Sequence, residues 1–377
     1  MRIGIEAQRI FRRKKHGMEI VALETIRQLQ KSDSQNEYVI FVKDDEDTGC
    51  LHETNNFRIV KVPGFSYADW EQIALPQAAK KEKLDLLHAT SNTAPLLHTA
   101  PLVLTLHDII YLEGLKLKGS AYQNLGHIYR KVIVPRIIHQ SKAIITVSAF
   151  EKDAIQAYFQ LEDHQVKFIY NGKSTIFKVI EHPKLLASTA AKFNLPGAFL
   201  LCFGNTAQKK NTFRMLQAYG IYCQLTPTPL PLVLIDCSSS YLHRILTQLN
   251  NKSIAKHILC VDHVEAHELP AIYNLSTVFL YPSLRESFGL PIIEAMACGT
   301  PVITSNTSAM PEIAGDAAIL VDPYNPEAIA HAIIGILQDS SLYRLLQAKG
   351  LVQSSRFTWE ATAEQVLKTY QQVNDMK

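Results

Sequence analysis

Glu286 and Glu294 stand eight positions apart in YPSLRESFGLPIIEAMACG, separated by SFGLPII. Two groups that resist burial thus bracket a segment with the composition of a buried core. TVFLYPS reads as a strand and RESFGL as the loop after it, while Pro291 suits the first turn of a helix, where its missing N–H costs nothing. The helix IIEAMA is stopped by Gly299, with Pro301 just beyond. Glu286 therefore falls in a loop and Glu294 in the first turns of the helix that follows. Around Phe288, Gly289 and Leu290, unbonded backbone N–H groups and the helix dipole make a seat for anionic oxygen. A carboxylate beside such a seat accepts hydrogen bonds from a neutral polyol. Polyol beside phosphate describes a nucleotide sugar. Taken alone, the pair reads more simply: Glu294 complements the helix dipole and Glu286 is a solvated loop residue.

The elements around the pair change that weight. Short apolar, β-branched runs alternate with longer amphipathic stretches along the whole chain. The first series of strands is RIGIEA, YVIFVK, FRIVKV, LDLLHA, LVLTLHD, AIITVS and VKFIYNG. A polar, proline-containing stretch, EHPKLLASTAAKFNLPG, follows Ile180 and reads as the linker between two series of strands. The alternation then restarts with FLLCFG, LPLVLID, HILCVD, TVFLYP, PVITS and AAILVD. Continuous apolar strands between helices imply parallel sheets covered on both faces. The expected fold is α/β, with two facing Rossmann-like, doubly wound domains and a cleft between them. Ligands of such sheets bind beyond the carboxyl ends of the strands. The expected domains are 1–182, 183–355 and a closing helix, 356–377, crossing back to the first domain.

Composition bounds the partners. With 377 residues, two domains are expected, and 47% hydrophobic against 19% charged residues supplies two cores. A net charge of +3 is too mild for nucleic acid as the main partner. The six cysteines form no CxxC pair, which fits reduced thiols better than disulfides or a zinc site. MRIGIEAQRI lacks the apolar stretch of a signal peptide, and no run reaches membrane-span length. The expected location is cytoplasmic, with peripheral contact at the inner face of a membrane.

YPSLRESFGLPIIEAMACGTPVITSNTSAMPEIAGDAAILVDP closely resembles the donor-binding segment of the retaining glycosyltransferases of family four (glycosyl transferases group one), which have the two-Rossmann GT-B fold. FLLCFGNTAQKKN resembles that family's strand, glycine loop and Lys-Asn element. LDLLHATSNTAPL and VLTLHDIIYLE resemble its acceptor-side wall, and IITVSAFEKDAI and VKFIYNGKSTIF the elements before its linker. FTWEATAEQVLKTY resembles its closing helix, so the likeness spans nearly the whole chain.

By that resemblance, Glu294 binds the ribose of the donor nucleotide, and Glu286 hydrogen-bonds the transferred sugar. Ser287 and the backbone of Phe288, Gly289 and Leu290 face the diphosphate or sugar, and Lys210 neutralises the diphosphate. A fixed cation there favours the transition state, because negative charge on the leaving group grows as the glycosidic bond breaks. His107, at the end of LVLTLH, is expected to contact the donor sugar or the acceptor, with Asp108 beside it on the acceptor side. Gly17 lies where the family has a glycine pair; His16 replaces the first member and could add a side-chain contact on the acceptor side. Asn205 stands where many relatives carry arginine, and Lys209 could supply the lost charge. The resemblance implies retention of configuration, no metal and no cofactor. The residues agree only in lacking an Asp-x-Asp clamp or a histidine cluster with ligand spacing.

The implied partners are a nucleotide-sugar donor carrying a hexose such as mannose or glucose, and a glycan or lipid-linked saccharide acceptor in cell-surface polysaccharide assembly. RIFRRKKH, from Arg9 to His16, is either a solvated loop or a contact for an anionic acceptor or headgroup. Tyr122, Leu125, Tyr129, Val132 and Ile133 share helical spacing, a stripe more often core than membrane contact. The rival readings are a nucleotide-sugar epimerase or other enzyme on the same architecture, and a non-catalytic sugar-nucleotide-binding module. A dehydrogenase is disfavoured because neither half has GxGxxG after its first strand. Donor base, acceptor, linkage and oligomeric state are not encoded in any motif.

Overall fold

The computed structural model of the chain describes residues 1–112 and 121–376, without the side chains of residues 121–124. Glu113, at the end of VLTLHDIIYLE, and the Tyr122 side chain of the helical stripe lie outside the described residues. Two compact units form: Met1–Gly172 with Trp359–Lys377, and Lys173–Thr358.

The first unit holds β1 (Arg2–Glu6), β2 (Glu37–Val42), β3 (Phe57–Lys61), β4 (Leu86–Ala89), β5 (Leu102–Thr105), β6 (Ala143–Thr146) and β7 (Val166–Phe168). They form one sheet in the order β3-β2-β1-β4-β5-β6-β7, with every pairing parallel. β4, β5 and β6 are buried at every position, as their unbroken apolar runs require of strands covered on both faces. The order reverses between β1 and β4, so the loops after these two strands diverge and leave a crevice at their carboxyl ends.

The helix Trp359–Asp375 closes this unit. Ala363, Val366, Tyr370 and Val373 recur at helical spacing and are buried in the core formed by Ile3, Ile5, Ile26 and Leu29. The Tyr370 hydroxyl is hydrogen-bonded to Nδ1 of His88 at 2.7 Å, and Nε2 of His88 to Oγ1 of Thr105 at 2.7 Å. Burial pushes the His88 imidazole down to about 3, so it serves as a neutral bridge between helix and sheet.

The second unit holds β8 (Leu200–Phe203), β9 (Leu232–Ile235), β10 (Ile258–Val261), β11 (Val278–Tyr281), β12 (Val302–Ser305) and β13 (Ala318–Val321). The order is β10-β9-β8-β11-β12-β13, again all parallel, with Phe279 opposite Leu201. Here the reversal falls between β8 and β11.

The units divide at Gly172 rather than at 182, because residues 173–180 bond within the second unit. Lys173 N–H donates to the Phe357 carbonyl at 3.1 Å, and Ile180 N–H to Oδ1 of Asn274 at 2.9 Å. The stretch read as a linker is largely the helix Pro183–Phe193, opened by Pro183 and ended by left-handed Asn194. Phe193 and Leu195 pack on the second core, and Lys192 pairs with Glu268.

Candidate active site

The second unit concentrates charge where its strand order reverses. The loop after β8 runs through Gly204 and Asn205 to Lys210, and the loop after β11 carries Glu286. Gly204 is required there: a Cβ would sit 2.4 Å from Cβ of Cys237. The two loops are joined by backbone, with Leu284 N–H donating to the Lys209 carbonyl at 2.7 Å. Asn211 holds a left-handed conformation, φ +58°, which asparagine tolerates better than most residues. Its buried amide donates to the carbonyls of Pro282 at 2.9 Å and Pro323 at 2.7 Å. One side chain thus fixes the loops after β8, β11 and β13 together.

On that frame Nζ of Lys210 lies 2.7 Å from Oε1 of Glu286, and Nζ of Lys209 lies 3.8 Å from Oε2. Lys210 also donates to the Tyr281 hydroxyl at 2.8 Å and stands 4.9 Å from the centre of that ring. Glu286 is 7% exposed. Burial alone would raise its carboxyl, but the ammonium groups of Lys210 and Lys209 hold it below the usual carboxylate range. Glu286 N–H donates to Oγ of Ser308 at 3.1 Å, which fixes the backbone behind the carboxylate.

Gly289 caps the helix Leu290–Ala297 at φ +104°, a conformation that favours glycine. Phe288 turns its ring inward, edge-on to Phe357 at 5.7 Å. Pro291 lies in the first turn and Gly299, at φ +76°, follows the last, as the local signals require. Half-buried Glu294 sits in the second turn; burial raises its carboxyl to about 7, opposed by the Tyr273 hydroxyl 3.4 Å from Oε2.

Asn205 is spent on its own turn, its Oδ1 accepting from Ala207 N–H at 2.8 Å and its carbonyl from Oγ1 of Thr212 at 2.7 Å. Lys209, not Asn205, is the second cation beside Glu286. The geometry also adds Tyr281, Tyr273 and the clamp role of Asn211. A tyrosine ending an apolar strand and an asparagine after two lysines carry no sequence signal of partners 70 or more residues away.

In the first unit, His107 follows β5. Its N–H donates to Oδ1 of Asn92 at 2.6 Å, and its Nε2 meets the Thr90 carbonyl at 2.9 Å. The carbonyl can only accept, so Nε2 carries the proton and Nδ1 is the ring's acceptor. Burial lowers the His107 pKa, which keeps the ring neutral. Thr90 is itself fixed by Glu6, whose Oε2 accepts from Thr90 N–H at 3.1 Å. Asp108 accepts from Ile110 N–H at 3.2 Å. His16 is exposed ahead of the helix Gly17–Ser32, with its N–H donating to Oε2 of Glu19 at 2.9 Å. Gly17 has open space where a Cβ would stand, so the fold itself does not demand glycine there.

RIFRRKKH is not one basic face. Ile10 and Phe11 are buried, Arg9 stacks over Tyr67 at 4.5 Å, and Lys15 pairs with Asp47 at 2.6 Å. Among the described residues, no three His, Cys, Asp or Glu side chains group as metal ligands, and no helix is long and apolar enough to cross a membrane.

Two family models match the chain, one per unit: Glycosyltransferase Family 4 over residues 16–175 and Glycosyl transferases group 1 over 188–352. Between them they take in most of the chain, which belongs to this glycosyltransferase family. The O-antigen chain mannosyltransferase B of Escherichia coli is 32% identical over 235 residues, 62% of this chain and 61% of that protein. The chain thus matches about three fifths of the length of that curated relative. Two solved structures share the fold. Sucrose-phosphate synthase from Thermosynechococcus elongatus aligns with a TM-score of 0.76, 19% identity and full coverage of both chains. HepE from Anabaena, in complex with UDP, aligns with a TM-score of 0.73, 18% identity and coverage of 99% of this chain and 100% of that one.

Proposed function

We propose that this chain is a retaining glycosyltransferase that moves a hexose, mannose or glucose, from a nucleotide-sugar donor to a glycan or lipid-linked saccharide in cell-surface polysaccharide assembly. The observation that carries the reading is the Lys210–Glu286 pair, held at 2.7 Å at a strand-order reversal and directly ahead of a helix N-terminus. A diphosphate needs a fixed cation and backbone N–H groups, and a sugar needs a carboxylate that stays ionised. Support for the sugar comes from the mannosyltransferase relative, and for the nucleotide from the UDP bound by the HepE structure.

In this reading Lys210 and Lys209 meet the diphosphate, Glu286 accepts from hydroxyls of the transferred sugar, and Glu294 accepts from the ribose. As the bond from the anomeric carbon to the diphosphate oxygen breaks, the acceptor oxygen bonds to the same face. Its proton passes to the departing oxygen, whose growing charge Lys210 offsets. The chain supplies alignment and charge, with no metal or cofactor. His107 is assigned to the donor sugar or the acceptor next to it, and Asp108 and His16 to the acceptor side.

A thermal-shift screen with UDP-, GDP-, ADP- and TDP-sugars tests the donor assignment, since a ligand that binds only the folded state stabilises it. One base is expected to raise the midpoint well above the others. A flat response to the whole panel would refute the reading.

The raised Glu294 carboxyl gives a second expectation. The ionised form accepts two ribose hydroxyls better than the neutral form, so binding must expel the proton that is present below pH 7. Donor affinity is therefore expected to rise about tenfold between pH 6 and pH 8, the factor set by one group titrating near 7. Calorimetry with an intact nucleotide sugar, whose diphosphate does not titrate in this range, reads the slope. Glu294→Gln should flatten it; a slope unchanged in that variant would remove Glu294 from the donor.

A further inference from the structure

The carbonyls that lead from the end of β11 toward Glu286 accept hydrogen bonds from side chains. Oγ1 of Thr304 donates to Tyr281 at 2.9 Å, the Asn211 amide to Pro282 at 2.9 Å, Oγ of Ser305 to Ser283 at 2.6 Å, and Oγ1 of Thr307 to Leu284 at 3.3 Å. Apart from Asn211, these donors are hydroxyls of TSNTS, Thr304 to Ser308, which finishes β12 and starts the loop after it. A chain leaving its sheet has no ladder to satisfy its carbonyls, and side chains do so here. One neighbouring segment thus dictates the course of the loop. That segment is itself fixed, because Asn306 N–H donates to the Val321 carbonyl at 2.8 Å.

The last hydroxyl of the segment works the other way. Oγ of Ser308 accepts from Glu286 N–H at 3.1 Å. Ser308 stands at φ +51°, a left-handed conformation that residues other than glycine seldom hold. Buried Ala309 and Met310 follow it and pin the turn in place. Glycine would hold the same backbone without strain but would offer no acceptor. A strained serine there points to the hydroxyl, rather than the turn, as what the position supplies. On the other side, the Glu286 carbonyl accepts from Nη1 of Arg285 at 3.2 Å. The backbone of Glu286 is thus held at both ends, while its carboxylate meets Lys210.

We propose that Ser308 is a positioning residue for sugar transfer: its hydroxyl holds the backbone of Glu286 so that the carboxylate stays aligned with the transferred sugar. The inference rests on Glu286 serving that sugar, and Ser308 acts on the substrate only through it. The bonds from Thr304, Ser305 and Thr307 fix residues ahead of Glu286, whereas the bond to Ser308 fixes Glu286 itself. A small displacement of an aligned group lowers the rate of the chemical step more than it weakens binding. Lys210 and Glu294, assigned to the diphosphate and the ribose, lie on other elements, after β8 and in the helix Leu290–Ala297. Donor binding should therefore persist when the Ser308 hydroxyl is lost.

The test compares Ser308→Gly with Ser308→Ala in the full chain. Both remove the hydroxyl, but only glycine removes the strain, so the glycine variant should unfold at a higher urea concentration than the alanine variant. Turnover is read as nucleoside diphosphate released by hydrolysis of whichever UDP-, GDP-, ADP- or TDP-sugar raises the thermal midpoint most, with water taking the sugar. Both variants should lose about tenfold in kcat while donor KM stays within about twofold of wild type. A purely structural role would make kcat follow stability, with glycine recovering what alanine loses, and that result overturns the proposal. Wild-type kcat in both variants overturns it too. Glu286→Ala separates this inference from the reading it rests on. Once the carboxylate is gone its alignment no longer matters, so Ser308→Gly should then cost less than about twofold. A full tenfold loss in that background overturns the role of Ser308 and leaves Glu286 on the sugar. Wild-type turnover by Glu286→Ala alone would remove Glu286 from the sugar, and Ser308 with it.

Discussion

Replacing Lys210 with alanine is expected to lower kcat by about 10²–10³-fold, the range set by removing one preorganised charge-stabilising group. Two effects combine. The diphosphate loses the cation that offsets its growing charge, and Glu286 loses its 2.7 Å partner. Lys209 at 3.8 Å is then the remaining cation beside a carboxylate only 7% exposed. Burial, which already pushes that carboxyl upward, is no longer outweighed to the same degree. The acid limb of the kcat profile should therefore move to higher pH in the variant. Wild-type Glu286 stays ionised to a pH below the usual carboxylate range, and the variant should protonate earlier as pH falls. Arginine is a poor substitute, because its planar fork cannot reproduce the ammonium shared by Glu286 and the Tyr281 hydroxyl. Steady-state transfer at several pH values reads both effects. Turnover within about threefold of wild type, too small a change for lost transition-state charge stabilisation, would make Lys210 an ordinary surface lysine.

The second large effect is on stability. Asn211→Ala removes both donors from the buried carbonyls of Pro282 and Pro323 and leaves an alanine at φ +58°. Two unsatisfied buried acceptors cost about 2–5 kcal/mol together. Urea unfolding should show the midpoint falling without a change in slope. Donor affinity should fall as well, because the loops that Asn211 joins carry Lys210 and Glu286. Asn211→Asp separates the causes. It tolerates the left-handed backbone but sets a carboxylate against two carbonyls, so it should destabilise at least as much as alanine. A loss below about 0.5 kcal/mol for alanine, typical of an unremarkable surface change, would mean the three loops hold their places without the clamp.

The strands were legible because parallel, doubly covered strands are written as unbroken apolar runs. All thirteen runs quoted from the sequence contain a strand of the fold. The helix after Glu286 was legible for a similar reason: Gly289, Pro291 and Gly299 each act within one turn of the chain. EHPKLLASTAAKFNLPG was misjudged because its composition is polar overall, while what folds it is the burial of a few apolar residues, Phe193 and Leu195 among them, against a distant core. RIFRRKKH misled in the opposite sense. Its charges look alike in sequence, but Tyr67 and Asp47, 58 and 32 residues from Arg9 and Lys15, draw two of them out of solvent.

By itself, then, the sequence determined the kind of layer the chain builds, the place of each strand, and the loop and helix that frame the two glutamates, since these depend on residues within a turn or two of one another. Strand order was decided only in the tertiary structure. The reversal between β8 and β11 makes Lys210 and Glu286, 76 residues apart, one ion pair, and Asn211 reaches across the same edge to hold both loops. The helical stripe divides at that level too, with Ile133 buried while Leu125 and Val132 are 66% and 45% exposed. Which face of a helix meets a core depends on what packs against it, and helical spacing is the same on either side.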